Sequence, residues 1–395
     1  MIASPLTLDQ ALAAARETRR LVIGSNVLDQ TPALFAEMFP QRETIVVADV
    51  NTFAAAGGRV QDAFRTSGIA IRRPFIIDDP QLYAESRFVD SVESALHENE
   101  AVPVAVGSGT INDLTKLAAH RCGRQYLCVA TAASMDGYTA FGASITHEGS
   151  KQTFDCPAPA AVLADLEVIR AAPAAMQGWG YADLSAKITA GADWIIADAL
   201  GMEPIDTQAW NIVQGRLHAA LSDSKAVAPL VEGLMLGGFA MQATRSSRPA
   251  SGAEHQFSHL WDMQHHVHHG VAPSHGAKVG IGTLAITALY ESLLAMPIDQ
   301  LDVERCVAAW PDKAAWQRLA EEQFDVDELK NVAKREIAAK HCSGQELSAQ
   351  LQLLAEIWPK LRDDLQRQIV PYAQLKQMLQ AAGAPTEPEQ IGISH

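Results

Sequence analysis

Residues 251–283, SGAEHQFSHLWDMQHHVHHGVAPSHGAKVGIGT, hold seven of the thirteen histidines in the chain. His255 and His259 stand four apart, so a helix would carry both on one face. His275 follows a Pro-Ser turn and precedes Gly276, where a new helical pattern begins. Neutral imidazoles grouped in this way suit zinc, nickel or iron, and a catalytic site takes about three protein ligands and keeps one position open. The third ligand should be acidic and lie elsewhere in the chain. His265, His266, His268 and His269 also read simply as the polar end of a helix.

A second constellation sits earlier. An apolar run at 102–106 leads into Gly107, Ser108, Gly109 and Thr110, then into a helical pattern through Asn112, Asp113 and Lys116. A strand, a glycine pair and a helix start aim backbone N–H groups and the positive end of a helix dipole at a pyrophosphate. The order is not GxGxxG, since Asn112 breaks it, and a GSGT turn also occurs without any ligand. Asp49 ends the run before, where a carboxylate can accept from the adenosine ribose hydroxyls and repel a 2′-phosphate. It can equally cap the helix that follows. Thr131, Ser134 and Asp136 lie in a small-residue loop after the next run, where open α/β sheets receive ligands.

The elements that must hold these residues are legible as a change of texture. Runs at 21–27, 44–50, 71–77, 102–106 and 126–130 alternate with helical patterns, which means βαβ units on a parallel sheet. Residues 143–147 and 152–155 flank Glu148, Gly149 and Ser150 as a hairpin, and 161–166 is a final apolar run where the sheet should end. A segment punctuated by Pro173, Gly178 and Gly180 then leads into a helix over 183–200, and helical periodicity continues to the C-terminus. The expected division is a nucleotide-binding α/β domain over 1–170 and an all-helical domain over 171–395. Pro359 and Pro371 should break the pattern of 348–382, and 383–395 should form a loose tail.

Composition narrows the function. At 395 residues the chain is long for one core, and 48% hydrophobic residues suffice to bury two. A net charge of −15 argues against nucleic acid or an anionic membrane as partner. An anionic substrate would need local cations against that field. The five cysteines are widely spaced and lack a CxxC, so neither a disulfide framework nor a thiolate zinc site is indicated. No basic start with an apolar run opens the chain, and stretches such as 231–241 are too short to span a bilayer. A soluble, cytoplasmic protein is expected.

The motifs GSGTIND, TAASMDGYTA, GWGYADLSAKITAGADW, SSRPASGAEHQFSH and HGAKVGIGT, in that order, resemble the sn-glycerol-1-phosphate dehydrogenases, including their AraM-type members. That group belongs with glycerol dehydrogenase, the iron-containing alcohol dehydrogenases and dehydroquinate synthase. The resemblance implies a Rossmann-like N-terminal domain, an all-α metal-binding domain of the dehydroquinate synthase-like kind, and an active site between them. It places one divalent ion, zinc foremost with nickel or iron as other occupants, on Asp183, His255 and His275. It implies NAD(H), with NADP(H) open, on Asp49, Gly107, Ser108, Gly109, Thr110, Asp113, Thr131 and Ser134. Asp136 would bond substrate hydroxyls and His259 would contact substrate or relay a proton. Candidates for a substrate phosphate are Arg248, Ser251 and Lys187.

The implied reaction interconverts dihydroxyacetone phosphate and sn-glycerol 1-phosphate by hydride transfer, in a homodimer or larger assembly. His269-Gly270 competes with His275-Gly276 for the second histidine, but the residues after His275 match the group better. Lys187 stands where iron alcohol dehydrogenases carry a histidine, and its spacing from Asp183 also departs from dehydroquinate synthases. The competing readings are another polyol or polyol-phosphate dehydrogenase, a sugar-phosphate cyclase, and a chain that binds nucleotide without catalysis.

Overall fold

A computed structural model describes residues 4–147 and 150–394. Its strands are β1 (Arg20–Gly24), β2 (Thr44–Asp49), β3 (Phe75–Ile77), β4 (Val102–Gly107), β5 (Leu127–Ala130), β6 (Ala143–His147), β7 (Ser150–Phe154) and β8 (Ala161–Asp165). Six form one parallel sheet in the order β1-β8-β5-β4-β2-β3. β6 and β7 pair separately and antiparallel, as the hairpin pattern predicts. The Glu148-Gly149 turn itself lies outside the described residues.

One strand is shorter than expected. β3 is cut to three residues, because Ile71 makes only an isolated bridge to Thr44 and the chain reaches the sheet edge late. β8 is the last strand in chain order, as expected, and it inserts between β1 and β5. Its pattern reflects that position, since all five residues of the strand are buried.

Both faces of the sheet are covered. Val46 and Ala48 of β2 pack with Phe35, Val60 and Phe64 on one side, while Ile45 and Val47 pack with Phe88, Ile111 and Leu114 on the other. The strand order therefore reverses between β2 and β4, and the carboxyl ends of these neighbours, Asp49 and Gly107, flank the crevice where such sheets bind ligands.

After β8, the described residues form only helices and short helical turns. The helix Ala174–Ala199 begins nine residues before Asp183, so Asp183 sits in its buried interior and does not open it. The glycines that suggested a break are where other backbone approaches: a Cβ on Gly180 would lie 1.9 Å from the Ala133 carbonyl oxygen, and one on Gly178 2.8 Å from the Gly383 carbonyl. The helix Gly344–Gln368 likewise runs through Pro359, and the chain breaks only before Pro371. The tail is docked as well, since Ile391 packs with Trp261, Ala277 and Ile281, and its carbonyl accepts from His266 at 2.6 Å.

By length and composition the helix His275–Ala295 could cross a membrane, which inspection of the apolar runs misses. It is a core helix, packed between Ala174–Ala199 and Ala253–Met263, and 61% of its apolar window is buried.

Candidate metal centre

Three helices meet at one point. Asp183 comes from the middle of Ala174–Ala199; His255 from the first turn of Ala253–Met263; and His275 is the first residue of His275–Ala295, capped by Ser274, whose side chain accepts from the Ala277 N–H. The last two helices approach closely because Gly282 has no side chain: a Cβ there would lie 2.4 Å from the Glu254 carbonyl oxygen. Asp183, His255 and His275 each offer a ligand atom, and these atoms all lie within 4.8 Å of one another. The His255 Nε2 to Asp183 Oδ1 distance is 3.6 Å, the spacing of two ligands about 2.1 Å from a common ion.

The imidazoles are aimed by what holds their other nitrogens. His255 Nδ1 bonds Glu254 Oε1 at 2.7 Å, and Glu254 in turn accepts from the Gly252 N–H at 2.6 Å and the Thr189 hydroxyl at 2.8 Å. His275 Nδ1 bonds the Ser258 hydroxyl at 3.2 Å. Both Nε2 atoms are thus left to face the shared point, the arrangement that fixes ring orientation in metal sites. Glu254, Ser258 and Thr189 escaped the sequence reading. The available signal was an acid directly beside His255.

The charges agree with a cation site. Asp136, Asp183 and Glu254 are buried, and Lys187, also buried, stands 2.6 Å from Asp136 Oδ2 and 3.0 Å from Asp183 Oδ1. Three carboxyl groups against one ammonium leave room for a divalent ion. Burial would raise the Asp183 carboxyl, but Lys187 and the imidazoles hold it well below the usual range. Asp136 is pushed up by burial and by Asp183. Burial alone would lower His255, but its bonds to Asp183 and Glu254 raise it to about 9. Burial lowers His275. It also brings His259 down to about 4, with His255 and Lys151 adding to the effect.

Asp136 reaches this cluster through its loop. Its backbone N–H donates to Asp183 Oδ2 at 3.0 Å. The buried Lys116 holds the loop in place by donating to the carbonyls of Gly137, Ala140 and Gly142 at 3.2, 3.0 and 2.8 Å. Asn112 adds a bond to Gly137 at 3.2 Å. Asp113 therefore does a different job from the cofactor contact expected of it: its oxygens face Lys116 and the Ser144 N–H, both at 3.3 Å.

Gly107, Ser108, Gly109 and Thr110 form a strand end and helix start, as read from the sequence, and no side chain caps the helix there. Thr131 donates its N–H to the Gly107 carbonyl at 3.1 Å, which places the β5 loop beside that turn. Asp49 adopts its capping alternative, accepting from the N–H groups of Asn51 and Thr52 at 2.8 and 3.0 Å.

Two of the phosphate candidates are elsewhere. Arg248 pairs with Glu203 at 2.5 Å, and with Ser251 it lines a cavity of about 610 Å³ that includes Asp193 and Lys340. Asp193 lies ten residues past Asp183 on one helix, about 15 Å along its axis. Both candidates arise from the loop that leads into the His255 helix, and Ala253 and Gln256 of that helix line the same cavity. Lys187 is in the site but committed to two carboxylates. His265, His266, His268 and His269 stay outside the ligand cluster; they shape a turn, with His265 and His269 at φ 50° and 52°.

The iron-containing alcohol dehydrogenase family model matches residues 22–173. The chain is 34% identical to the glycerol-1-phosphate dehydrogenase [NAD(P)+] of Halalkalibacterium halodurans over 70% of its own length and 71% of that protein. It is 32% identical to the protein of the same name from Bacillus velezensis, over 69% and 72%. The chain belongs to the glycerol-1-phosphate dehydrogenase family. Its fold is also that of glycerol dehydrogenase from Schizosaccharomyces pombe, with a TM-score of 0.55 at 16% identity, covering 89% of this chain and 91% of that one. Family membership and geometry meet at the ligand cluster, which combines residues from well-separated parts of the chain.

Proposed function

We propose that the protein is a metal-dependent, NAD(P)-linked oxidoreductase that interconverts dihydroxyacetone phosphate and sn-glycerol 1-phosphate. The observation that carries this reading is the convergence of Asp183, His255 and His275 beside Asp136, in a chain of this family. Asp183, His255 and His275 would hold one divalent ion, zinc foremost with nickel or iron as alternatives. When bound, it supplies a Lewis acid for the oxygen at the reacting carbon.

The chain's own groups supply the rest. Backbone N–H groups at Gly109 and Thr110, free at a helix start, suit the cofactor pyrophosphate, with Gly107 and Ser108 allowing close approach. Thr131 and Ser134 border the inner part of the cofactor, and Asp49 marks the ribose end. Asp136 orients substrate hydroxyls as an acceptor. Lys187 keeps Asp136 and Asp183 from repelling each other and fixes their positions. His259 stays neutral, with one ring nitrogen to accept and one to donate, as passing a proton toward solvent requires.

The same reading takes residues 1–170 as the nucleotide domain, 171–395 as the metal and substrate domain, and the protein as a soluble, cytoplasmic homodimer or larger homo-oligomer. The test is metal analysis with an NADH oxidation assay on dihydroxyacetone phosphate, repeated for Asp183→Asn and His275→Ala. Both variants should lose bound metal and turnover while still unfolding cooperatively. A metal-loaded wild type that fails to oxidise NADH with this substrate would refute the reading.

A further inference from the structure

A second charged cluster adjoins the ligand cluster and has no part in the scheme above. Lys278 follows His275 by one turn of the same helix, and Asp262 follows Ser258 by one turn of the helix that carries His255. Lys278 Nζ is paired with Asp262 Oδ1. Lys151, carried by β7, places its Nζ 3.6 Å from Asp262 Oδ2 and 3.3 Å from the Tyr83 hydroxyl. Tyr83 donates to Asp262 Oδ1 at 3.3 Å. The side chains of Lys278, Asp262 and Lys151 are 2, 6 and 14% exposed.

Two ammonium groups thus share one carboxylate in a nearly dry setting. The two lysines outnumber the single carboxylate they contact, and burying such an excess of ammonium is costly unless an anion arrives. Arg248, by contrast, is paired with Glu203.

We infer that Lys151 and Lys278, with Tyr83, form the subsite for the phosphate monoester of the substrate, an inference that rests on the oxidoreductase reading above. In dihydroxyacetone phosphate the phosphate is carried on the carbon next to the reacting one. Its subsite must therefore adjoin the metal ligands. The lysine cluster does so within one helical turn of His275, whereas Arg248 is already paired with Glu203. A phosphate monoester carries about two negative charges and several acceptor oxygens, which suits paired ammoniums and a hydroxyl.

The experiment uses the metal-loaded full chain with Lys151→Gln and Lys278→Gln, metal content being checked in each. For Lys151→Gln, KM for dihydroxyacetone phosphate should rise about ten- to hundredfold. Turnover of unphosphorylated dihydroxyacetone should stay within about threefold, and inorganic phosphate should lose affinity as a competitive inhibitor by about tenfold. Inorganic phosphate should also raise the unfolding temperature of the wild type, a reading that needs no turnover, and should do so less in either variant. Equal losses on both substrates, an unchanged KM, or no phosphate protection of the wild type would overturn the subsite. If the wild type does not reduce dihydroxyacetone phosphate, the oxidoreductase reading fails; if it does and Lys151→Gln leaves KM unchanged, only the subsite fails.

Discussion

Glutamate at position 254 gives the sharpest test of how the site is built. Its Oε1 takes the His255 Nδ1 and Gly252 N–H bonds, and its Oε2 takes the Thr189 hydroxyl. Glu254→Gln keeps the volume and an oxygen able to accept from His255, and removes only the charge. Loss of an outer partner of this kind costs about 10- to 100-fold in metal affinity, or about 1.4–2.8 kcal/mol. Glu254→Ala also strands the Gly252 N–H, while the Thr189 hydroxyl keeps the Ala186 carbonyl as acceptor, adding about 1–3 kcal/mol of lost stability. Chelator competition for zinc and kcat/KM at saturating metal read the first effect, and thermal unfolding reads the second. If Glu254→Gln holds zinc within about twofold of wild type, the negative charge of Glu254 does not tune His255 as a ligand.

Other parts of the structure are open to equally direct tests. Gly180→Ala would drive a methyl against the Ala133 carbonyl, 1.9 Å from its Cβ, and should cost about 1–3 kcal/mol or more, seen as a lower unfolding temperature together with weaker activity through Asp136 and Asp183. Arg248→Gln should leave KM for dihydroxyacetone phosphate unchanged within about twofold, because its partner is Glu203; a large rise would reinstate Arg248 as a phosphate ligand. Burial pushes the Cys128 and Cys156 thiols up to about 12 from an ordinary 9.0, so both should resist a thiol reagent at pH 8 in the native protein. A raised thiol pKa in the folded state gives stability that is whole below pH 9 and is lost as pH rises toward 12; Cys128→Ser should flatten that alkaline loss in an unfolding series.

Much of this protein was written in local order. Alternating apolar runs gave the sheet strands, because a strand buried on both faces must be apolar along its length. The ligand triad was identified by family resemblance, while HxxxH spacing suggested only that His255 and His259 shared a face. Packing decided the rest. Gly178 and Gly180 looked like breakers because local propensity cannot see the Gly383 and Ala133 backbones against which the helix lies. β8 entered the middle of the sheet, although nothing in its own residues names its neighbours. Arg248, close in sequence to His255, pairs with Glu203, while Lys151, over a hundred residues earlier, comes in beside Asp262. Residue types and short-range spacing follow from the chain itself, but which charges end up sharing a low-dielectric space is set by contacts between distant segments, and only the tertiary structure supplies those.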